Sequence, residues 1–298
     1  MDSASRSALF KALTPNAHLL NASTLRLPVP DETLDALAVK AGTKRKVPAS
    51  IEAKLVNDLK GERSTGKSWV MVVDSFESYR KLRDEISDLD VELLTSRLSR
   101  VSSDVRLYLE AMLKSIERKE PLVIPAESEI LKHTTDVISS RPWIVVENFD
   151  KSLVESDLGK FFKTSEISCV QYHAVNIDLE NELNEIAEDT FRSEYAQSFG
   201  FPSSALPTLV RRLPALLGQG VFYTVGEIEA RAWLYTRGVK ISEASAAIHS
   251  DFPKKFLQAE VVKVGEYLKF GLKARTNLKS REYELEDGQD ILDIKLKK

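Results

Sequence analysis

The chain is short of the features that mark several classes of protein. One cysteine among 298 residues rules out an internal disulfide, and with it the disulfide scaffolds of small secreted domains. That residue, Cys169, lies in Ile167-Ser168-Cys169-Val170, where a buried strand position suits a free cysteine better than a reactive thiol does. No apolar run approaches the ~18 residues that a membrane-spanning helix requires. The first residues, Met1-Asp2-Ser3-Ala4-Ser5-Arg6, have no apolar core of the signal-peptide kind. The expectation is a cytoplasmic protein without a membrane partner. Charge of one sign is not in excess either: 42 Lys and Arg stand against 45 Asp and Glu. A net charge of −3 excludes nucleic-acid binding by the whole surface, so an RNA contact must be a local patch, and nothing points to DNA. Internal repeats and low-complexity tracts are absent, as are a Ser/His/Asp triad, metal-ligand spacing and paired carboxylates.

What is present is an ordinary globular composition, 43% hydrophobic, 29% charged and 8% aromatic, in a chain long enough for two domains and a helical extension. Leu9, Phe10 and Leu13 recur at helical spacing and predict a helix over 3–13. Pro15, Pro28 and Pro30 punctuate the next stretch, and Asp31 then caps a short helix containing Leu34, Leu37 and Ala38. Lys44-Arg45-Lys46 reads as a solvated polar loop. Trp69-Val70-Met71-Val72-Val73 predicts a buried strand, with Asp74 at its end as a turn residue or a Mg2+-orienting acid. From Arg80 to Arg118 apolar residues recur mostly every three or four positions. Ser102-Ser103-Asp104 either divides this stretch into a helical hairpin or merely interrupts one long helix. A pair packed on itself is the plainer reading, and a partner-binding coiled coil the sharper one. Pro142 to Val146 and Ile167 to Val175 predict two more strands; Leu179 to Phe191 reads as an acidic amphipathic helix and Leu206 to Leu217 as another. Strands alternating with helices predict a parallel α/β sheet within 1–217.

One motif suggests chemistry directly. Gly61-Glu62-Arg63-Ser64-Thr65-Gly66-Lys67-Ser68 matches G-x-x-x-x-G-K-[ST]. In that pattern glycines let backbone N–H groups wrap phosphates, lysine neutralises them and serine holds Mg2+. It works between a strand and a helix N-terminus, whose free amides complete the anion site. Here Ile51 to Leu59 reads as helical or irregular and the run after Ser68 as a strand, so the order is inverted. Lys67 then reads as an ordinary surface base. Gly61, Gly66, Lys67 and Ser68 remain the alternative site for ATP or GTP with Mg2+.

Residues 219–298 hold short strand-like runs, an amphipathic helix and a Glu286-Asp287-Gly288 turn before a final strand, which is the order of a small β-grasp module. They carry 14 Lys and Arg against 12 Asp and Glu, a mild basic bias. Arg237 and Lys240 flank Gly238 in a turn, while His249, Lys254 and Lys255 bracket Ser250-Asp251-Phe252-Pro253. A basic loop beside an aromatic can meet phosphates and stack a base. The alternative has His249 and Phe252 fixing a corner and the lysines solvating it. Trp233, Phe256 and Tyr267 read as core.

Arg231 to Tyr235, Gly238, Ala246 to Phe256, Ala259 to Val262 and Tyr283 to Leu292 together resemble the C-terminal TGS-type domain of the Obg-like ATPase (YchF) family of P-loop nucleotidases. The resemblance is specific over about 205–298 and eroded over 1–204. It sets Ser5-Arg6-Ser7-Ala8-Leu9-Phe10-Lys11-Ala12-Leu13-Thr14 in the register of the family's Gly-Lys-Ser-Thr-Leu-Phe-Asn-Ala-Leu-Thr helix. Arg6 stands there for the phosphate-binding lysine and Ala8 for the threonine. A planar guanidinium does not replace a compact ammonium in a tight loop. The family's upstream glycines and first strand have no counterpart before Met1, and its Asp-x-x-Gly switch has none between Ile51 and Lys67. Arg141 to Asp150 resembles the strand bearing the base-recognition motif Asn-Val-Asn-Glu, which Asn148 and Asp150 approximate. The nucleotide contacts implied by the resemblance are thus Arg6, Ser7 and Asn148.

The fold so implied is α/β: an eroded P-loop parallel sheet in two parts, 1–79 and 121–218, with a helical insertion at 80–120 and a TGS-like β-grasp domain at 219–298. The implied protein has a degenerate nucleotide site and no catalytic residue. It binds a ribosome or RNA through Arg237, Lys240, His249, Lys254 and Lys255, and meets a protein partner on its helical insertion. The rival is an active ATP- or GTP-hydrolysing enzyme, working through Gly61–Ser68 or from a gene whose true start lies upstream.

Overall fold

The computed structural model describes residues 3–13, 24–62, 68–118, 120, 122, 128–149, 156–164, 170–200 and 204–297. The chain forms two compact units, one made of 1–25 and 54–206, the other of 26–53 and 207–298.

The first unit is built on three parallel strands, Trp69–Val73, Trp143–Asn148 and Val170–Val175, with Trp143–Asn148 in the middle. Its first five residues are all buried, as a strand covered on both faces requires. The stretch between the first two strands forms a hairpin of helices Phe76–Leu98 and Ser103–Glu117, so the hairpin alternative holds. Ser75 opens it, its side-chain oxygen accepting from the Ser78 amide at 3.1 Å. Leu93, Leu94, Val105, Leu109, Met112 and Ile116 bury one another across the pair. Asp90, fully buried, accepts from the amides of Ile138 and Ser139 at 2.8 Å each and so ties the long helix to the approach of the middle strand. Helix Ser3–Ala12 forms where expected, buries Leu9 and Ala12, and is held at its end by Asn184, which donates to the Ala12 carbonyl at 2.7 Å. The acidic helix expected over 179–191 is instead two, Ile177–Glu185 and Asp189–Ser198. The break is held by Arg192, whose guanidinium donates to the carbonyls of Leu183 and Ile186. Of the strand expected over Ile167 to Val175, Val170–Val175 is described; Ile167, Ser168 and Cys169 lie outside the described residues.

The second unit is a six-stranded mixed sheet in the order Asn277–Lys279, Phe256–Lys263, Asp290–Leu296, Gln219–Val225, Glu229–Thr236, Arg45–Val47. The hairpin Gln219–Val225/Glu229–Thr236 is antiparallel, and the last strand, Asp290–Leu296, runs parallel to its first arm, as in a β-grasp sheet. Helix Glu32–Ala41 covers one face, burying Leu34 and Leu37 against Tyr223, Ala232 and Ile291. Asp31 caps it as expected, accepting from the Leu34 amide at 3.0 Å. On the other face Phe222, Tyr235, Phe256 and Leu292 pack with Ile241 and Ala244.

Three expectations change here. Lys44-Arg45-Lys46 is not simply a loop: Arg45–Val47 adds an edge strand beside Glu229–Thr236, with Arg45 ion-paired to Glu229. Ile51 to Leu59 is not helical at its start, because Ser50–Lys54 is a strand paired with Thr24–Pro28. Residues 26–53, expected in the first part of the α/β domain, group with the six-stranded sheet, as do 207–218. The cause is that helix Glu32–Ala41 buries its apolar side on that sheet.

Candidate functional site

The residues that the motif and the resemblance single out for nucleotide are held locally. On helix Ser3–Ala12 the Ser5 hydroxyl donates to Asp74 Oδ1 at 2.8 Å, giving that strand-terminal carboxylate a partner. Arg6 Nη1 donates to the Val56 carbonyl at 2.6 Å, and Arg6 Nε is buried without a partner. The guanidinium is therefore turned onto the chain, while Ser7 is exposed. Asn148, at the end of the middle strand, accepts through Oδ1 from the Ile177 amide at 3.1 Å and pins the start of helix Ile177–Glu185.

The phosphate-loop pattern starts inside a four-residue helix, Leu59–Glu62. Gly61 has a local reason to be glycine: a Cβ there would meet Asp58 Oδ2 at 2.5 Å, and Asp58 is holding the Lys60 amide at 3.0 Å. Ser68 leads directly into strand Trp69–Val73. Gly66 and Lys67 lie outside the described residues, as does Asp150. A strand directly after the motif is the inverted order expected from the sequence, since a phosphate loop leads into a helix N-terminus. Among the described residues, then, Arg6 and Asn148 are bonded to backbone, and no group of three or more His/Cys/Asp/Glu is placed to hold a metal ion.

Besides Asp90, sequence reasoning missed two more buried carboxylates in this unit. Glu147 interrupts the apolar run of the middle strand and accepts from the hydroxyls of Ser156 and Tyr172. Its neighbour Gly159 leaves room for them, since a Cβ there would lie 3.2 Å from Ser156 Oγ and 3.3 Å from the Tyr172 hydroxyl. Glu180 accepts from Ser204 and from the Ala205 amide at 2.5 Å. Burial raises its pKa above the ordinary value, and these hydrogen bonds work against that rise. The signal for Glu147 was an acid within a strand of otherwise apolar residues; Glu180 left no such mark in an already acidic helix.

In the second unit the expected basic residues separate into two groups. Arg237 is ion-paired with Asp287, which also accepts from the Val221 amide at 2.7 Å. Lys240 is ion-paired with Glu284; a hydrogen bond to that carboxylate raises the lysine's pKa and lowers the glutamate's. His249 Nδ1 accepts from the Asp251 amide at 3.2 Å, and its ring lies 5.7 Å from that of Phe252, a corner-fixing arrangement. Lys254 and Lys255 are exposed, with no side-chain partner among the described residues. Phe256 and Tyr267 are core, and Trp233 packs half-buried against it beneath the Arg231 guanidinium. The same unit has a polar cavity of about 320 Å3 lined in part by Asp31, Arg211, Gln219, Tyr223 and Asp287. There the Tyr223 hydroxyl donates to Asp31, and burial together with that carboxylate pushes the phenol far up. No helix among the described residues is long and apolar enough to cross a membrane.

Comparison with known proteins follows the same division. Residues 220–297 match the family model YchF-GTPase_C, described as "Protein of unknown function (DUF933)". The ribosome-binding ATPase YchF of Bacillus subtilis is 26% identical over 243 residues, 74% of this chain and 66% of that protein. Human Obg-like ATPase 1 is 34% identical over 119 residues, 38% of this chain and 30% of the relative. The chain thus spans just under two thirds of the first relative and less than a third of the second. The solved YchF GTPase of Schizosaccharomyces pombe shares the fold with a TM-score of 0.82 at 19% identity, covering 99% of this chain and 96% of that one. The chain is thus similar to the YchF/Obg-like ATPase family, in sequence above all over residues 220–297 and in fold over nearly its whole length.

Proposed function

We propose that this chain is a family member with a degenerate nucleotide site that acts as a ribosome- or RNA-associated binding and regulatory protein through its TGS-like C-terminal unit. The observation that carries the reading is the state of Arg6. Where the family resemblance calls for a phosphate-binding lysine, a guanidinium is bonded to the Val56 carbonyl at 2.6 Å with its Nε buried. Freeing it for a phosphate would strip that carbonyl of its donor, against a phosphate that an arginine grips less tightly in a confined loop. Asn148 is committed in the same way to the Ile177 amide. Ribosome association is carried over from the name of the Bacillus subtilis relative, and the best-matched part of the chain is its C-terminal stretch. The helical hairpin, with Leu107 and Tyr108 exposed, is a second contact for a protein partner.

Two measurements on the full chain test this. Equilibrium binding of labelled ATP and GTP should show no low-micromolar, Mg2+-dependent affinity, and finding one would overturn the degenerate site. Cosedimentation with purified ribosomes should be positive at low salt. The relatives' names as ATPases favour the rival hydrolase; turnover abolished by Lys67→Ala would establish it.

A further inference from the structure

Within residues 219–297, most of the basic residues with no ion pair among the described residues lie along one edge of the six-stranded sheet. Residues 267–281 contain five Lys and Arg and no Asp or Glu. Lys269, Lys273 and Arg275 are exposed and have no side-chain ion pair among the described residues. They sit where helix Val264–Phe270 turns through Gly271–Lys273 into the edge strand Asn277–Lys279. That strand runs antiparallel along Phe256–Lys263, with Asn277 opposite Val261 and Lys279 opposite Ala259. Lys254 and Lys255 precede the start of Phe256–Lys263, so they lie at the opposite end of the same edge. Arg281 fixes this end, donating to the carbonyls of Phe256 at 2.8 Å and Pro253 at 3.0 Å. An eight-residue strand at ~3.3 Å per residue separates the two clusters by about 25 Å.

The nearest carboxylates do not cancel this charge. Glu260 faces Leu278 across the register but lies 3.7 Å from Lys295. Asp251 and Glu266 are single exposed acids, one at each end. Beside the larger cluster Phe270 is 56% exposed, an aromatic face on a basic rim. Cations in two groups along a rigid edge, with a ring available for stacking, suit a phosphodiester chain whose negative charges repeat along its length. Arg237 and Lys240 offer less to a polyanion, because the carboxylates of Asp287 and Glu284 beside them offset their charge.

We infer that this edge is the RNA-backbone contact of the protein, with Lys269, Lys273 and Arg275 at one end, Lys254 and Lys255 at the other, and Phe270 as a stacking platform. The inference rests on the ribosome- or RNA-associated reading above and names the surface that performs it. It requires no base-specific contact, so it implies binding that tolerates sequence and weakens steeply with salt.

The test uses the full chain, a labelled oligouridylate and purified ribosomes. The triple variant Lys269→Gln/Lys273→Gln/Arg275→Gln should lower the slope of log affinity against log salt by about 2 to 3, close to one for each phosphate that the edge no longer neutralises. Lys254→Gln/Lys255→Gln should lower it by about 1 to 2. Arg237→Gln/Lys240→Gln should leave it unchanged. Thermal unfolding of each variant reports whether the sheet is intact, and the two clusters are independent checks on each other. Wild-type protein that sediments with ribosomes while both cluster variants bind as tightly as it does would overturn the edge and leave the function standing. Wild-type protein that binds neither ribosomes nor oligouridylate would overturn both. Binding to phosphatidylserine vesicles without binding to oligouridylate would overturn the edge in favour of an anionic membrane surface.

Discussion

The two units use their polar side chains in opposite ways. In the unit with the parallel sheet, inner polar groups hold backbone: Asp90 takes the amides of Ile138 and Ser139, Asn148 that of Ile177, Glu180 that of Ala205, and Arg6 gives to the Val56 carbonyl. In the unit with the mixed sheet, the charged groups singled out for function stand at the rim, exposed or paired with one another. The difference decides availability. A buried group bonded to backbone can leave for a ligand only by orphaning its partner, at about 1–3 kcal/mol for each buried group, whereas an exposed lysine has no such debt. In the first unit Arg6 and Asn148 are therefore committed to backbone, whereas Lys254 and Lys255 of the second are exposed and carry no such commitment.

The comparison breaks most visibly at Asp90. Replacing it with alanine removes the acceptor for two amides at once and should destabilise the protein by about 2–6 kcal/mol, the sum of two donors left without an acceptor. Urea unfolding measures this, and a loss below about 1 kcal/mol would mean that the long helix is not tied down there. Next in size is an exception within the second unit. Asp290 is fully buried and is held by Lys263 at 2.7 Å, the Tyr283 hydroxyl at 3.2 Å and the Glu286 amide at 2.8 Å. Lys263→Met should cost about 3 kcal/mol, because it leaves a buried carboxylate without its cation. Substituting both Lys263 and Asp290 with apolar residues of similar size should recover part of that loss, and no recovery would show that the cation matters for packing alone.

How much of this was legible depended on where each element finds its partner. The strand Trp143–Asn148 announced itself as a continuous apolar run because it is covered on both faces. Helices Phe76–Leu98 and Ser103–Glu117 were legible because they bury a stripe against each other. Arg45–Val47 was not, since two of its three residues are basic and its partner strand, Glu229–Thr236, lies far along the chain. Ser50–Lys54 was hidden for a similar reason: it buries only Ile51 fully. At the candidate site, the strand that follows Ser68 was legible from its apolar run. The commitment of Arg6 and Asn148 to backbone was not, because it depends on carbonyls and amides brought in by the fold. The pairing of Arg237 and Lys240 was equally invisible, with partners 50 and 44 residues away.

A smaller effect sharpens the contrast through pH. Burial raises the pKa of Glu180 above its ordinary value of 4.5. The folded state then holds a proton that the unfolded state has already released, so stability is greatest below the ordinary value. It falls as pH rises from there through the raised value, by at most about 1.4 kcal/mol per pH unit. Glu180→Gln should flatten that slope while keeping an acceptor for the Ala205 amide. Thermal unfolding from pH 4 upward distinguishes the two, and an unchanged slope in the variant would assign the titration elsewhere.

The smallest effect is expected at Arg237, and its smallness is what the comparison requires. The Arg237 and Asp287 side chains are 49% and 42% exposed, so their pair is screened by water and by salt. Exposed pairs of this kind contribute about 0–1 kcal/mol. Asp287 would keep the Val221 amide at 2.7 Å in Arg237→Gln, so no buried group is orphaned. Unfolding in low salt should therefore show a loss within that range, and in about 1 M salt, where the screening length is about 3 Å, the loss should vanish. A loss of several kcal/mol that survives high salt would place Arg237 with Asp90 and Arg6 among the groups that hold backbone, and the separation of the two units by availability would no longer stand.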